Sequence, residues 1–337
     1  MSVRSTLPLA ARLGALLGTL LATLLATLLA LGLPGRAAER STPATQTTLD
    51  LARRTPQLLL PTGTAPLANP TRIVSLAPVL TETLFLLERG DRVVGVTRYC
   101  DTPAAAQALP KVGGYVDVSL ERVLALHPDL VVAMPSLGQR ELLERLRDAG
   151  VPVLAGFGDT LAEVRELVVA LGALTEQRAR ADAILSDLDQ SLERFAKARP
   201  GERAGRVLVA VGVDPIVVAG PGSFIAEIFD RGAVTSAVTP GSPQWPVWSL
   251  ERLSRRHVDR IVVAAGPDTR VALQRMIDGA FPPAERPRVL SAPTPLLMRP
   301  GPALGRELDA LAALLLDGPA GPGVPAAAPG PAPGRAP

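Results

Sequence analysis

YVDVSLERVLALHPDLVV (residues 115–132) and WPVWSLERLSRRHVDRIV (residues 245–262) align without a gap at an offset of 130. Ser, Leu, Glu, Arg, His and Asp recur in register. The chain's two histidines, His127 and His257, take matching positions, as do Glu121 and Glu251. Tyr115 falls opposite Trp245, in a chain with only two tyrosines and two tryptophans. Each copy reads as a loop, a helix opened by Ser-Leu-Glu-Arg, and an apolar strand. A repeat of this length means one structural unit built twice.

The surroundings of each copy extend the unit. RIVSLA, RVVGVT, DLVVA and VPVLAGF are short apolar strands from Arg72 onward. TETLFLLERG, SLERVLALH and QRELLERLRDAG between them carry helical spacing. Strands alternating with helices predict a parallel sheet with helices on its faces. From 160 to 198 the strand signal stops, and TLAEVRELVVALGAL and TEQRARADAILSDLDQSLERFAKA are amphipathic helices. Pro200-Gly201 ends the second, and the alternation resumes with RVLVAV, PIVVAG, SFIAEIFDRG and RIVVAAG. The expected plan is α/β: two similar Rossmann-like lobes, 71–172 and 204–317, bridged by a long helix within 173–203.

The ends are of another kind. Arg4 and Arg12 precede an uncharged Leu/Ala run from Leu13 to Leu33, followed by Pro34-Gly35-Arg36-Ala37-Ala38. Residues 1–38 read as a secretory signal with a small-residue cleavage site. The run is also long enough to cross a bilayer uncleaved. Its three arginines account for the net charge of +3, so the remainder is near neutral and does not suggest nucleic acid as a partner. Residues 39–70 form a linker, with a small hairpin expected in LDLARRTPQLLLP. The Pro/Ala/Gly tail, 318–337, has too little to bury and is expected to be disordered. The lone cysteine, Cys100, excludes an intrachain disulfide and is expected as a small, partly buried side chain.

Only 3% of the residues are aromatic, so each loop aromatic raises a question. Tyr99, Tyr115, Trp245 and Trp248 all lie in or beside strand-to-helix connections. Such residues either wall a ligand pocket or cap helix ends. Loops after the strands face the crevice of an open α/β sheet, which brings in Ser75, Ala77 and Pro78 behind RIVSLA and AGPGSF (219–224) in the second half. Ser119 and Ser249 suit N-caps, and Glu121 and Glu251 suit the positive end of a helix. Two acids related by the repeat would equally form a symmetric pair of docking charges. His127 and His257 close the same helices, with no ligand set at metal spacing. No phosphate loop, dinucleotide fingerprint or nucleophile elbow is present, and no acid–base pair stands out, so no enzyme activity, catalytic residue, metal site or cofactor is assigned.

RIVSLAPVLTE, VVGVTRYCDTPAAAQALPKVGGYVDVSLERVLALHPDLVVA, WPVWSLE and RPGPALGREL resemble the periplasmic substrate-binding proteins of cobalamin and iron-chelate ABC importers, the vitamin B12-binding branch above all. The likeness covers about residues 71–316. It implies the helical-backbone periplasmic binding protein fold, with a small-molecule ligand held between the lobes by a monomer. The implied cleft residues are Tyr99, Tyr115 and Trp245, with Arg299 remaining from the family's pattern, and Pro78 and Met134 are expected to bind the ligand beside them. Glu121 and Glu251 are implied to meet arginines on the permease of an ABC importer in the inner membrane, placing the protein in the periplasm. APTPLLMRPGP departs from the family's pattern, since Pro295, Leu296 and Leu297 stand where an acid and aromatics are usual. Cobalamin is the expected ligand. Haem or a ferric siderophore is the alternative, with Tyr115 as the iron ligand for haem, and an α/β enzyme of the same two-lobe plan stays open.

Overall fold

The computed structural model describes residues 44–46, 49–64, 67–135, 139–292, 297 and 301–317. The expected signal, residues 1–38, and tail, 318–337, lie outside them.

The first half runs β1 (Ala44–Gln46), β2 (Gln57–Leu59), β3 (Ile73–Ser75), α1 (Pro78–Leu86), β4 (Val93–Val96), α2 (Ala104–Gln107), α3 (Leu120–Ala125), β5 (Leu130–Ala133), α4 (Arg140–Asp148) and β6 (Val153–Ala155). Two helices follow, α5 (Leu161–Leu174) and α6 (Arg178–Ala198), then the short α7 (Gly201–Ala204). The second half is β7 (Arg206–Val213), β8 (Ile216–Val218), α8 (Phe224–Arg231), β9 (Thr235–Ser236), β10 (Val247–Trp248), α9 (Leu250–Ser254), β11 (Arg260–Val263), α10 (Pro267–Ala280), β12 (Arg288–Ser291) and α11 (Gly305–Leu316).

The N-terminal sheet has the order β1-β2-β6-β5-β3-β4. Its β6-β5-β3-β4 portion is parallel throughout. Strands β2, β3, β5 and β6 are buried along their whole length, the pattern of strands covered on both faces. The segment 39–70 departs from expectation. Strand β1 pairs with β2 in parallel, so the two are not a hairpin, and β2 runs antiparallel to β6. The reason is burial: all three residues of QLL are covered, so the strand extends the sheet. Fully buried Gln57 then binds the preceding loop, accepting from the Asp50 amide at 2.9 Å and donating to the Asp50 and Arg53 carbonyls.

The C-terminal sheet has the order β10-β8-β7-β11-β12, with β9 also on β7. Strands β7, β11 and β12 are parallel, and β8 is antiparallel to β7. The sequence repeat survives as structure. Helices α3 and α9 and strands β5 and β11 are equivalent at the offset of 130. Asp129 and Asp259 show why the Asp recurs. Asp129 accepts from the Arg72 amide at 2.9 Å and Asp259 from the Arg206 amide at 2.7 Å, each tying a helix exit to the start of the neighbouring first strand.

The helices between the sheets serve both cores. In α5, Leu161 packs in the C-terminal core, whereas Leu167, Val168, Leu171 and Leu174 pack in the N-terminal one. In α6 the order reverses, with Ala181 and Ile184 in the N-terminal core and Leu188, Leu192 and Phe195 in the C-terminal core. The two helices meet closely at Gly172, where an added Cβ would stand 2.6 Å from the Ala181 Cβ. Leu308, Leu311 and Leu315 of α11 complete the C-terminal core.

The lobes also touch through the loop ahead of α5. The Phe224 amide donates to the Asp159 carbonyl at 2.8 Å, and Glu227 accepts from the Leu161 amide at 3.3 Å. Arg54 steadies this loop through Glu163 at 2.6 Å and Asp159 at 2.5 Å, with its guanidinium 3.9 Å from the centre of the Phe157 ring. Burial works against its charge, but bonds to Glu163 and Asp159 outweigh it and raise its pKa.

Candidate functional site

In each lobe the chain leaves two adjacent strands toward opposite sides. The first sheet divides this way between β3 and β5, the second between β7 and β11. The carboxyl ends of such strand pairs form the ligand crevice of open α/β sheets. Pro78, half-buried, is the first residue of α1 behind β3. Inside this elbow, Thr81 Oγ1 donates to Ser75 Oγ at 2.8 Å, satisfying two buried hydroxyls. Met134, half-buried, follows β5 directly and packs on the N-terminal core. Topology therefore brings Pro78 and Met134 to one crevice.

Strand β4 forms the edge beside it. Residues 110–113 continue the sheet there. The Val96 amide donates to the Pro110 carbonyl, the Val112 amide to the Val96 carbonyl, and the Arg98 amide to the Gly113 carbonyl, at 2.8–2.9 Å. The chain then turns sharply. Gly113 has φ +139°, and a Cβ there would stand 2.4 Å from the Asp117 carbonyl oxygen. A Cβ on Gly114 would meet Asp117 Oδ1 at 2.5 Å and Arg98 Nη1 at 2.7 Å. Only glycine fits this turn. Asp117 holds it by accepting from the Gly114 amide at 3.0 Å and pairing with Arg98. Buried Gln139 donates to the Tyr115 carbonyl. The Tyr115 backbone is thus fixed while its ring stays 44% exposed, and Tyr99, behind β4, is 51% exposed. Cys100 is fully buried, with Sγ 3.2 Å from Thr97 Oγ1.

The two tryptophans of the second lobe differ. Trp248 is buried in β10, opposite Ile216, and belongs to the core. Trp245 is half-buried and rests on a different core layer, that of Phe224 and Leu297. Its loop is held by the Gly220 amide on the Gln244 carbonyl at 2.8 Å and the Val218 amide on the Pro246 carbonyl at 3.0 Å. Arg299 lies outside the described residues.

Ser119 and Ser249 are true N-caps, accepting from the Arg122 amide at 3.2 Å and the Arg252 amide at 3.1 Å. Glu121 and Glu251 sit in the first turns of α3 and α9, both exposed. Glu251 pairs with Arg255 at 2.6 Å. The histidines serve the helix exits: the His127 carbonyl accepts from Arg72 Nε at 3.1 Å, and His257 Nε2 lies 3.2 Å from Asp259. Arg98, Asp117 and Gln139 were not singled out from sequence. The signal available was the Gly-Gly pair with an acid shortly after it, which asks for a partner across the turn.

Comparison with known proteins agrees with this architecture. The family model described as periplasmic binding protein matches residues 73–279. A vitamin B12-binding protein of Pectobacterium carotovorum subsp. carotovorum (strain PC1) is 26% identical over 213 residues, covering 63% of this chain and 77% of the relative. Among solved structures, a periplasmic heme binding protein from Pseudomonas aeruginosa is 28% identical with a TM-score of 0.66, covering 74% of this chain and 94% of that one. The periplasmic vitamin B12 binding protein BtuF of Vibrio cholerae shares the fold at 21% identity and a TM-score of 0.60, covering 73% and 96%. By its matched residues, its paired sheets and the two helices that serve both cores, the chain belongs to the periplasmic binding protein family.

Proposed function

We propose that the protein is a secreted receptor that captures a corrinoid between its lobes and delivers it to the permease of an ABC importer. The observation that carries this reading is the pinned loop of residues 113–118. Its backbone is over-determined by Gly113, Gly114, Asp117 and Gln139, while the Tyr115 ring is left exposed. A residue used only for packing would be covered. Tyr99 lies on the same sheet edge, and Trp245 holds the matching position in the other lobe. Corrinoids bring their own cobalt ligands, so a receptor needs aromatic walls and a few hydrogen bonds. The named vitamin B12-binding relatives support the ligand class.

Haem is a second reading, favoured by the exposed Tyr115 phenol and by the likeness to a heme binding protein. Tyr115→Phe separates the two. With a corrinoid it removes at most one hydrogen bond, about 1 kcal/mol. With haem it removes the iron ligand, and the phenolate–iron absorption band disappears. Titration of both proteins with cyanocobalamin and haemin tests the choice. Tight corrinoid binding that Tyr115→Phe destroys would contradict the corrinoid reading.

A further inference from the structure

Arg98 is the charged side chain at the centre of the N-lobe aromatic edge. It lies between Tyr99, its chain neighbour, and the loop that carries Tyr115. Its guanidinium carbon is 5.8 Å from the centre of the Tyr99 ring. The absent Cβ of Gly114 leaves room for its flat face, since that atom would stand 3.0 Å from Cζ. Nη2 is committed to Asp117. Among the described residues, no group accepts from Nε or Nη1. The Arg98 side chain is 49% exposed and that of Asp117 54%. A planar fork with one edge tethered and the other open suits a carboxylate or phosphate.

We infer that Arg98 is a specificity-determining residue that takes an anionic substituent of the bound macrocycle, with Asp117 as the internal carboxylate it partly exchanges for the ligand's. This rests on the proposed function. The shared chemistry is an anionic oxygen on the rim of a large ring: the phosphodiester of a complete corrinoid or the carboxylates of haem. Asp117 gives the inference a distinctive sign. If the pair merely braced the loop, losing either partner would weaken binding alike. As an exchangeable carboxylate, Asp117 competes with the ligand, so its neutralisation strengthens binding of an anionic ligand while the amide oxygen of asparagine still accepts from Gly114.

The test uses the full chain and two matched pairs of probes, cyanocobalamin with dicyanocobinamide, and haemin with haemin dimethyl ester. The first member of each pair carries the anionic group and the second lacks it. For whichever ring binds, the wild-type protein should favour the anionic member by about tenfold or more. Arg98→Gln should erase that preference by weakening the anionic member about tenfold more than the neutral one, and Arg98→Lys should keep part of it. Asp117→Asn should tighten the anionic member by about twofold to fivefold, the range of one exposed ion pair. Equal loss for both members in Arg98→Gln, or parallel weakening by Arg98→Gln and Asp117→Asn, overturns the inference and leaves the receptor reading standing. Failure of all four probes to bind the wild-type protein overturns the receptor reading and the inference with it.

Discussion

Tyr115 and Trp245 occupy one position of the repeat, yet the two lobes treat them differently: the tyrosine stands out from a pinned loop, and the tryptophan leans on the core. Removing each should have its own signature. Trp245→Ala should weaken ligand binding by about 1–3 kcal/mol, the scale of one large apolar contact, and also lower stability because the ring packs on the core. Unchanged affinity in a titration would remove Trp245 from the site. Gly113→Ala acts on the backbone. The left-handed φ and the close Asp117 carbonyl should cost about 1–3 kcal/mol, read as an earlier urea midpoint, and should displace Tyr115. Native stability and native affinity together in this variant would show that the loop yields easily. Tyr115 was readable in the sequence through its scarcity and its register with Trp245. Arg98 was not, because arginine is common in this chain and its role appears only when a distant Asp117 folds back onto it. Trp248 shows the converse limit, since nothing in WPVWSLE says which tryptophan turns inward until strand pairing settles it.

At the scale of elements, the repeated Ser-Leu-Glu-Arg opens a helix in each lobe, and we propose a docking role for its glutamates beside the capping role of its serines. The serines cap, as their bonds to Arg122 and Arg252 show. An exposed first-turn glutamate adds only about 0.3–1 kcal/mol through the helix dipole. Changing Glu121 and Glu251 together to Gln should therefore leave melting and ligand affinity nearly intact. If they are docking charges, the same change acts on association with a permease. Uptake through the reconstituted importer should fall sharply, each single variant should be partly defective, and the remaining permease binding should depend less on salt. Normal transport by the double variant would leave only the helix-end role. Alternating strands and helices were readable from apolar runs and from Gly and Pro punctuation. The parallel β1–β2 pair was not, because QLLLP shows burial without showing which neighbour buries it.

For the whole molecule, the relation of the lobes rests on α5, α6 and the loop that Arg54 braces from the N-terminal segment. Glu163 is central there. It completes a capping box with Thr160 and accepts from Arg54 at 2.6 Å. Glu163→Ala should cost about 1–3 kcal/mol, since it removes a charged hydrogen bond and a cap together. Arg54→Ala should cost less, about 1 kcal/mol, because that side chain is 44% exposed. Equal urea midpoints for both variants would mean that Glu163 acts only through Arg54. The two-lobe plan was readable because the repeat and the strand-free middle are long-range features of the sequence. The junction was not, since it joins residues from three separate stretches. The proposal is that a corrinoid is held between the lobes that this junction joins. The most direct test is to mix the purified protein with cyanocobalamin, separate it from free ligand by desalting, and record the visible spectrum of the protein fraction. The corrinoid spectrum should travel with the protein in equimolar amount, and in Trp245→Ala much of it should be lost. A colourless protein fraction, or one that retains haemin while releasing cyanocobalamin, would contradict the claim.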